Sequence, residues 1–175
     1  MLGDPMFEDR VELIDAALGR KGVDIWVRGG SLVNVLTGEI LEQCDVAISK
    51  GRIASVGVSE VKTKDDTLIV DAEGFYILPG LIDGHIHVES SMLRPIEFSR
   101  TVLPSGTTSV VIDPHEITNV LGLEGIRYML EESEDLPLKF FVQVPSCVPA
   151  APGLETSGAE INEEDVAEAL KWPRV

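Results

Sequence analysis

Apolar positions recur along this chain with two different rhythms, and the change between them comes near residue 77. Val11, Ile14 and Leu18 fall three and four apart, the spacing of one helix face. Gly19 and Gly22 can end that helix. The pattern predicts a short N-terminal helix packed on something else. Residues 23–78 are β-branched runs broken by glycine-bearing turns: "VDIWVRGGSLVNV", "CDVAISKGRIASVG" and "TLIVDAEGFYILPG". "RGGS" and "SKGR" read as hairpin turns, where glycine supplies a positive φ. Val46 and Ile48 alternate with polar or small residues before the second turn, and Ile53 and Val56 follow it. The expectation is a small antiparallel module of about five or six short strands with little core of its own.

From residue 77 the pattern alternates between strand and helix. "YILPGLIDGHIHV" reads as one apolar strand. "PIEFSRTVLPSG" reads as a short helix with Pro95 in its first turn, Phe98 and Val102 on one face, and Pro104 to Gly106 as the stop. "TTSVVIDP" is nearly continuous in apolar and β-branched residues, as expected of a strand buried on both faces. "LEGIRYMLEES" follows as a helix with Leu123, Ile126 and Leu130 inward, and "LKFFVQVP" as a third strand. "INEEDVAEAL" is a third helix, with Asn162 at its N-cap and acidic residues in its first turn. "KWPRV" looks like the approach to a fourth strand. Three consecutive βα units imply parallel strands with right-handed crossovers, opening either a doubly wound sheet or a (β/α)8 barrel.

Composition narrows the classes of partner. Apolar residues make up 44% of the 175, enough for a folded core. The net charge of −16 argues against non-specific nucleic-acid binding, which needs a cationic surface. No apolar run is long enough to span a bilayer, and "MLGDPMFEDR" lacks the features of a signal peptide. The expectation is a cytoplasmic protein with no membrane partner. Cys44 and Cys147 read as small buried thiols rather than a disulfide.

All three histidines fall at the ends of the first two predicted parallel strands. Residues two apart in a strand point to the same side, so His85 and His87 aim two imidazoles at one point, with Asp83 aligned on that side. Imidazole is a common ligand for divalent transition metals, although H-x-H alone is a weak signal. The polar loop "VESSMLRP" comes next, where a substrate would lie. Asp113, His115 and Glu116 follow the second strand. They could hydrogen-bond a substrate or shuttle protons, or they could form a proline turn with Asp113 capping backbone amides. "VPSCVPAAPGLETSG" is a proline-stiffened loop that reads either as a surface connector or as a loop whose "LETSG" reaches towards the same face. "GLEG" lacks the lysine and glycine pattern of a nucleotide-triphosphate loop.

"LPGLIDGHIH" resembles the first barrel strand of the amidohydrolase superfamily, and residues 23–78 resemble that superfamily's small β-sandwich domain. "HVESSMLRPIEF", "TTSVVIDPHEITNVLGLEGIRYMLE" and "VQVPSCVPAAPGLETSGA" are similar to its microbial adenine deaminases, as is "DRVELIDAALGRKGVDIWVRGGSLVNVLTGEI". The resemblance covers nearly the whole chain. It implies an α/β plus β fold: a helical segment 1–22, the N-terminal half of a small β-sandwich domain over 23–78, and the first three βα units of a (β/α)8 amidohydrolase barrel over 79–175. It implies a hydrolase that converts adenine and water to hypoxanthine and ammonia. The cofactor implied is a divalent metal, manganese or iron, with zinc as a further option. His85 and His87 would be metal ligands and Glu89, Ser90 and Ser91 would bind substrate. Asp113, His115 and Glu116 would be the catalytic group, without separate roles.

The superfamily pattern also includes a carboxylate after the fourth strand, histidines after the fifth and sixth, and an aspartate after the eighth, none of them within these residues. The chain by itself is therefore expected to be inactive and to hold metal weakly or not at all. It is also expected to self-associate or to pair with a missing C-terminal part. Two other readings stand beside this one. The first is a non-enzymatic binding or assembly module derived from an amidohydrolase. The second is an amidohydrolase acting on a cyclic amide or another purine.

Overall fold

The computed structural model describes residues 5–57 and 60–175. The chain divides into two compact units, Met1–Pro79 and Gly80–Val175.

The first unit contains α1 (Pro5–Ala17), β1 (Ile25–Val33), β2 (Ile40–Ser49), β3 (Arg52–Gly57), β4 (Leu68–Asp71) and β5 (Tyr76–Ile77). The sheet order is β3-β2-β1-β4, with β5 also paired to β1. "SKGR" is the β2–β3 hairpin turn: Lys50 and Gly51 have φ of 52° and 68°, the positive pair that a two-residue turn requires. Val46 then pairs with Val56, and Ile48 with Ile53. "RGGS" is not a turn. Gly29 and Gly30 lie inside β1 at a bulge, where the Asp45 carboxylate accepts the Gly29 N–H at 2.9 Å and the Trp26 indole N–H at 3.0 Å. The chain reverses later, where Asn34 and Glu39 bond through their backbones. The sheet is mixed rather than antiparallel, because β4 and β5 both run parallel to β1.

The core of this unit is small: Ala16, Val23 and Ala47, flanked by Trp26, Ala54 and Val61. The apolar stripe predicted to bury α1 faces outward, with Ile14 56% and Leu18 59% exposed. The helix meets its neighbours through Ala16 instead, whose small side chain allows close approach. "YILPGLIDGHIHV" is not one strand either. Tyr76–Ile77 joins the first sheet, and Pro79, which has no N–H to give a ladder, interrupts the run before Leu81.

The second unit contains β6 (Leu81–Ile86), a 3-10 turn (Val88–Ser91), α2 (Pro95–Val102), β7 (Thr107–Ile112), α3 (His115–Leu121), α4 (Leu123–Glu132), β8 (Lys139–Val142) and α5 (Glu163–Ala169). The strands are parallel in the order β6-β7-β8. Val110, Ile112, Phe140 and Val142 point to one side of the sheet. There they pack with Phe98, Ile126, Met129 and Leu138 into the main core. Burial of each large aliphatic or aromatic side chain there contributes about 1.5–3 kcal/mol. The other side is open: Phe141 is 47% exposed and Ile82 70%. The β-branched run of β7 therefore has one buried face, not two. Asn162 caps α5 in a reciprocal capping box with Asp165. Residues 171–175 form no strand, but the Arg174 carbonyl accepts the Val142 N–H at 2.8 Å beside β8. Cys44 is buried as expected, whereas Cys147 is exposed on the loop after β8. Among the described residues, no helix is long and apolar enough to cross a membrane.

Candidate metal centre

β6 directs Ile86 into the core, and the residues on either side of it point the opposite way. The chain stays extended through His87 (φ −98°, ψ 98°), so His85 and His87 emerge together on the open side. Their Nε2 atoms lie 3.3 Å apart, with the rings edge to face. Each Nδ1 is held from behind. Gln143, just past β8, brings its Oε1 within 2.9 Å of His85 Nδ1. Glu116, in the first turn of α3, brings its Oε2 within 3.1 Å of His87 Nδ1. Acceptors at both Nδ1 atoms draw the ring protons there and leave a lone pair on each Nε2.

Two lone pairs facing each other at this separation repel unless a cation lies between them. Two nitrogens each about 2.1 Å from one ion, at tetrahedral or octahedral angles, would stand about 3.0–3.4 Å apart. Asp113 completes the group. Its Oδ2 is 3.9 Å from His85 Nε2, and its buried Oδ1 has no hydrogen-bond partner. The donor atoms of His85, His87 and Asp113 fit within 4.8 Å of one another. Two imidazoles and a carboxylate with a bare, buried oxygen make a donor set that fits a divalent ion, and three protein ligands is the number usual for a catalytic centre.

The other residues singled out in the sequence are distributed around this pair. Glu116 takes the Ser90 hydroxyl on its second oxygen at 2.5 Å. Burial alone would raise its carboxyl, but the Ser90 hydrogen bond and the adjacent His87 outweigh this and hold it below the usual value. Glu89 sits half-buried on the 3-10 turn, its Oε1 accepting the Ile117 N–H at 3.3 Å while Oε2 has no partner. Burial pushes its carboxyl up. Ser91 donates to the Val88 carbonyl at 2.6 Å within its own turn. His115 does not join the pair; its Nε2 lies 3.1 Å from the Cys147 carbonyl, tying α3 to the loop after β8. Asp83 does not share the pair's side as simple alternation predicts: the pairing of β6 with β7 shifts between Asp83 and Ile86, and the Asp83 carboxylate accepts the His85 backbone N–H at 3.1 Å.

Sequence reasoning missed Gln143. Strand alternation could have found it, since Phe140 and Val142 face the core and position 143 must face away. It also missed that His115 and Glu116 begin a helix. Ile117, Val120 and Leu121 carry helical spacing, and Gly122 (φ 61°) stops it.

Parallel strands that place two histidines and a carboxylate at their C-terminal ends define an α/β protein with a candidate divalent-metal centre. The amidohydrolase family model matches residues 76–173. The chain belongs to the amidohydrolase family, whose members generally depend on divalent metal. It is 50% identical over 171 residues to "Adenine deaminase" of Moorella thermoacetica, covering 98% of this chain and 28% of that protein. It is 54% identical over 165 residues to "Adenine deaminase" of a Ruegeria species, covering 94% and 28%. The chain thus spans little more than a quarter of the length of these relatives. Among solved structures it is similar to the D-hydantoinase (dihydropyrimidinase) of a Thermus species. The TM-score there is 0.54 at 20% identity, covering 67% of this chain and 26% of that one. That likeness concerns the fold.

Proposed function

We propose that these residues form the amino-terminal part of an aminohydrolase acting on adenine: the C6–amine bond is broken, a C6–oxygen bond is formed from water, and hypoxanthine and ammonia result. The observation that carries the reading is the convergent Nε2 pair of His85 and His87 beside the bare oxygen of Asp113. The choice of adenine rests on the names of relatives about half identical over nearly all of this chain.

In this reading residues 1–22 are an N-terminal helical segment and 23–78 belong to a small β-sandwich domain. Residues 79–175 open a (β/α)8 barrel, whose active sites lie at the C-terminal ends of the strands. The sequential parallel order β6-β7-β8 supports it. His85, His87 and Asp113 would hold the ion, and their mixed nitrogen and oxygen donors suit manganese or iron as well as zinc. When bound, such an ion supplies a water acidic enough to ionise near neutral pH.

The protein's own groups do the rest. Glu116 keeps His87 oriented, and Ser90 steadies Glu116. Of the three residues proposed as catalytic, Asp113 has the bare oxygen that could take and return a proton. His115 positions the loop after β8. Of the three proposed for substrate, Glu89 offers a free acceptor for a purine N–H, whereas the hydroxyl protons of Ser90 and Ser91 already have acceptors. The activity is assigned to a polypeptide of the relatives' length. The 175 residues alone are expected to release no ammonia from adenine.

The test is ammonia release from adenine by the manganese-loaded protein carrying this sequence, beside its His85→Ala variant, with metal content measured on both. Loss of metal together with turnover supports the reading. Undiminished turnover in His85→Ala overturns it.

A further inference from the structure

The two histidines are held from behind by acceptors of different charge on different elements. Glu116 is an anion on α3, and Gln143 is a neutral amide just past β8. We infer that Gln143 is a positioning residue of the centre: its amide oxygen fixes His85 in the Nδ1–H form, so that Nε2 keeps a lone pair aimed at the ion. The inference rests on the metal reading of the pair and adds to it a residue from the third strand of this sheet.

The backbone explains why Gln143 can do this. Its N–H continues the ladder to the Ile112 carbonyl at 2.8 Å, which fixes its height beside Asp113. Its neighbour Val142 is buried in the core, so strand alternation turns Gln143 to the open side where His85 emerges. A histidine with nothing on Nδ1 is free to carry its proton on either nitrogen and to turn about its ring torsion, and an acceptor at 2.9 Å removes both freedoms. A neutral acceptor also suits the place. Asp113 and Glu116 already bring two carboxylates to the pair, and a third so close would repel them when no ion is bound.

The experiment uses a polypeptide of the relatives' length carrying this sequence, with Gln143→Leu, which removes the acceptor, and Gln143→Glu, which keeps one. Long-range proton–nitrogen spectra of the metal-free protein read the tautomer of His85, with His87 as an internal control because Glu116 still holds it. Titration with manganese or cobalt reads affinity. The expected result is Nδ1–H in the parent and in Gln143→Glu. Gln143→Leu should lose that form while His87 is unchanged, and its metal affinity should fall about ten- to hundred-fold. An Nε2–H tautomer at His85 in the parent, or parent-like affinity in Gln143→Leu, would overturn the inference. A tautomer switch in Gln143→Leu with no metal bound by any variant would uphold the positioning role and sink the metal reading instead.

Discussion

Glu116 touches His87 with one carboxylate oxygen and the Ser90 hydroxyl with the other, so its loss should be felt at the imidazole rather than in the fold. Glu116→Ala should weaken manganese binding by about ten- to hundred-fold, and Glu116→Gln by less, because the amide retains an acceptor oxygen. Competition with a chromophoric chelator measures both. An unchanged affinity in Glu116→Ala would remove Glu116 from the centre. At this scale much could be read from the sequence, because a two-residue spacing in an extended segment has one geometric outcome. His85 and His87 converge for that reason, whereas Asp113, which the sequence placed in the catalytic group, joins them from just past the end of β7. Gln143 could not be recognised by residue type, since an isolated glutamine carries no chemical signature until a neighbouring strand faces it.

Helices could be read in the sequence where caps and periodicity agreed, as in α2 and α5. α3 was hidden because its proline and acidic start also describe a strand-end loop. Its packing has a specific weak point. A Cβ placed on Gly125 of α4 would come within 2.7 Å of the Ile117 carbonyl oxygen on α3. Gly125→Ala should therefore lower stability by about 1–3 kcal/mol despite improving helix propensity, as measured by urea unfolding. A neutral or stabilising result would mean that α3 and α4 separate more easily than their contact implies.

In the first unit, Asp24 holds the β2–β3 turn by accepting the Lys50 N–H at 2.6 Å, and it pairs with Lys64. The Lys64 hydrogen bond comes first among the causes that keep its carboxyl below the usual value. A folded value below the unfolded one means the contribution is present above the unfolded value and is lost as pH falls through the folded one. The stability gap between the parent and Asp24→Asn should accordingly be widest near neutral pH and close in acid. Denaturant midpoints across pH would show it, and a gap that widened in acid would contradict the assignment.

Across the molecule, the sequence carried the succession of elements better than their sidedness. The β-branched run of β7 implied burial on both faces, yet only one face of its sheet is covered. Periodicity records how apolar a segment is, and the covering layer is set by chain elsewhere. The same limit left Val11 and Ile14 of α1, and Leu18 just after it, facing outward. Adjacent residues of β8 test this sidedness directly. Phe140→Ala empties a buried site and should cost about 3–5 kcal/mol, whereas Phe141→Ala, on the open face, should cost far less. Equal losses in chemical denaturation would show that both faces are packed in solution.

The start of α3 has one more consequence. His115 and Glu116 are consecutive on a helix, so their side chains leave about 100° apart. One reaches the loop after β8 and the other the end of β6. A single-residue insertion or deletion between Pro114 and Glu116 would rotate that fan by one step and turn Glu116 away from His87. A change in chain length that removes no ligand would then act as a lesion of the centre.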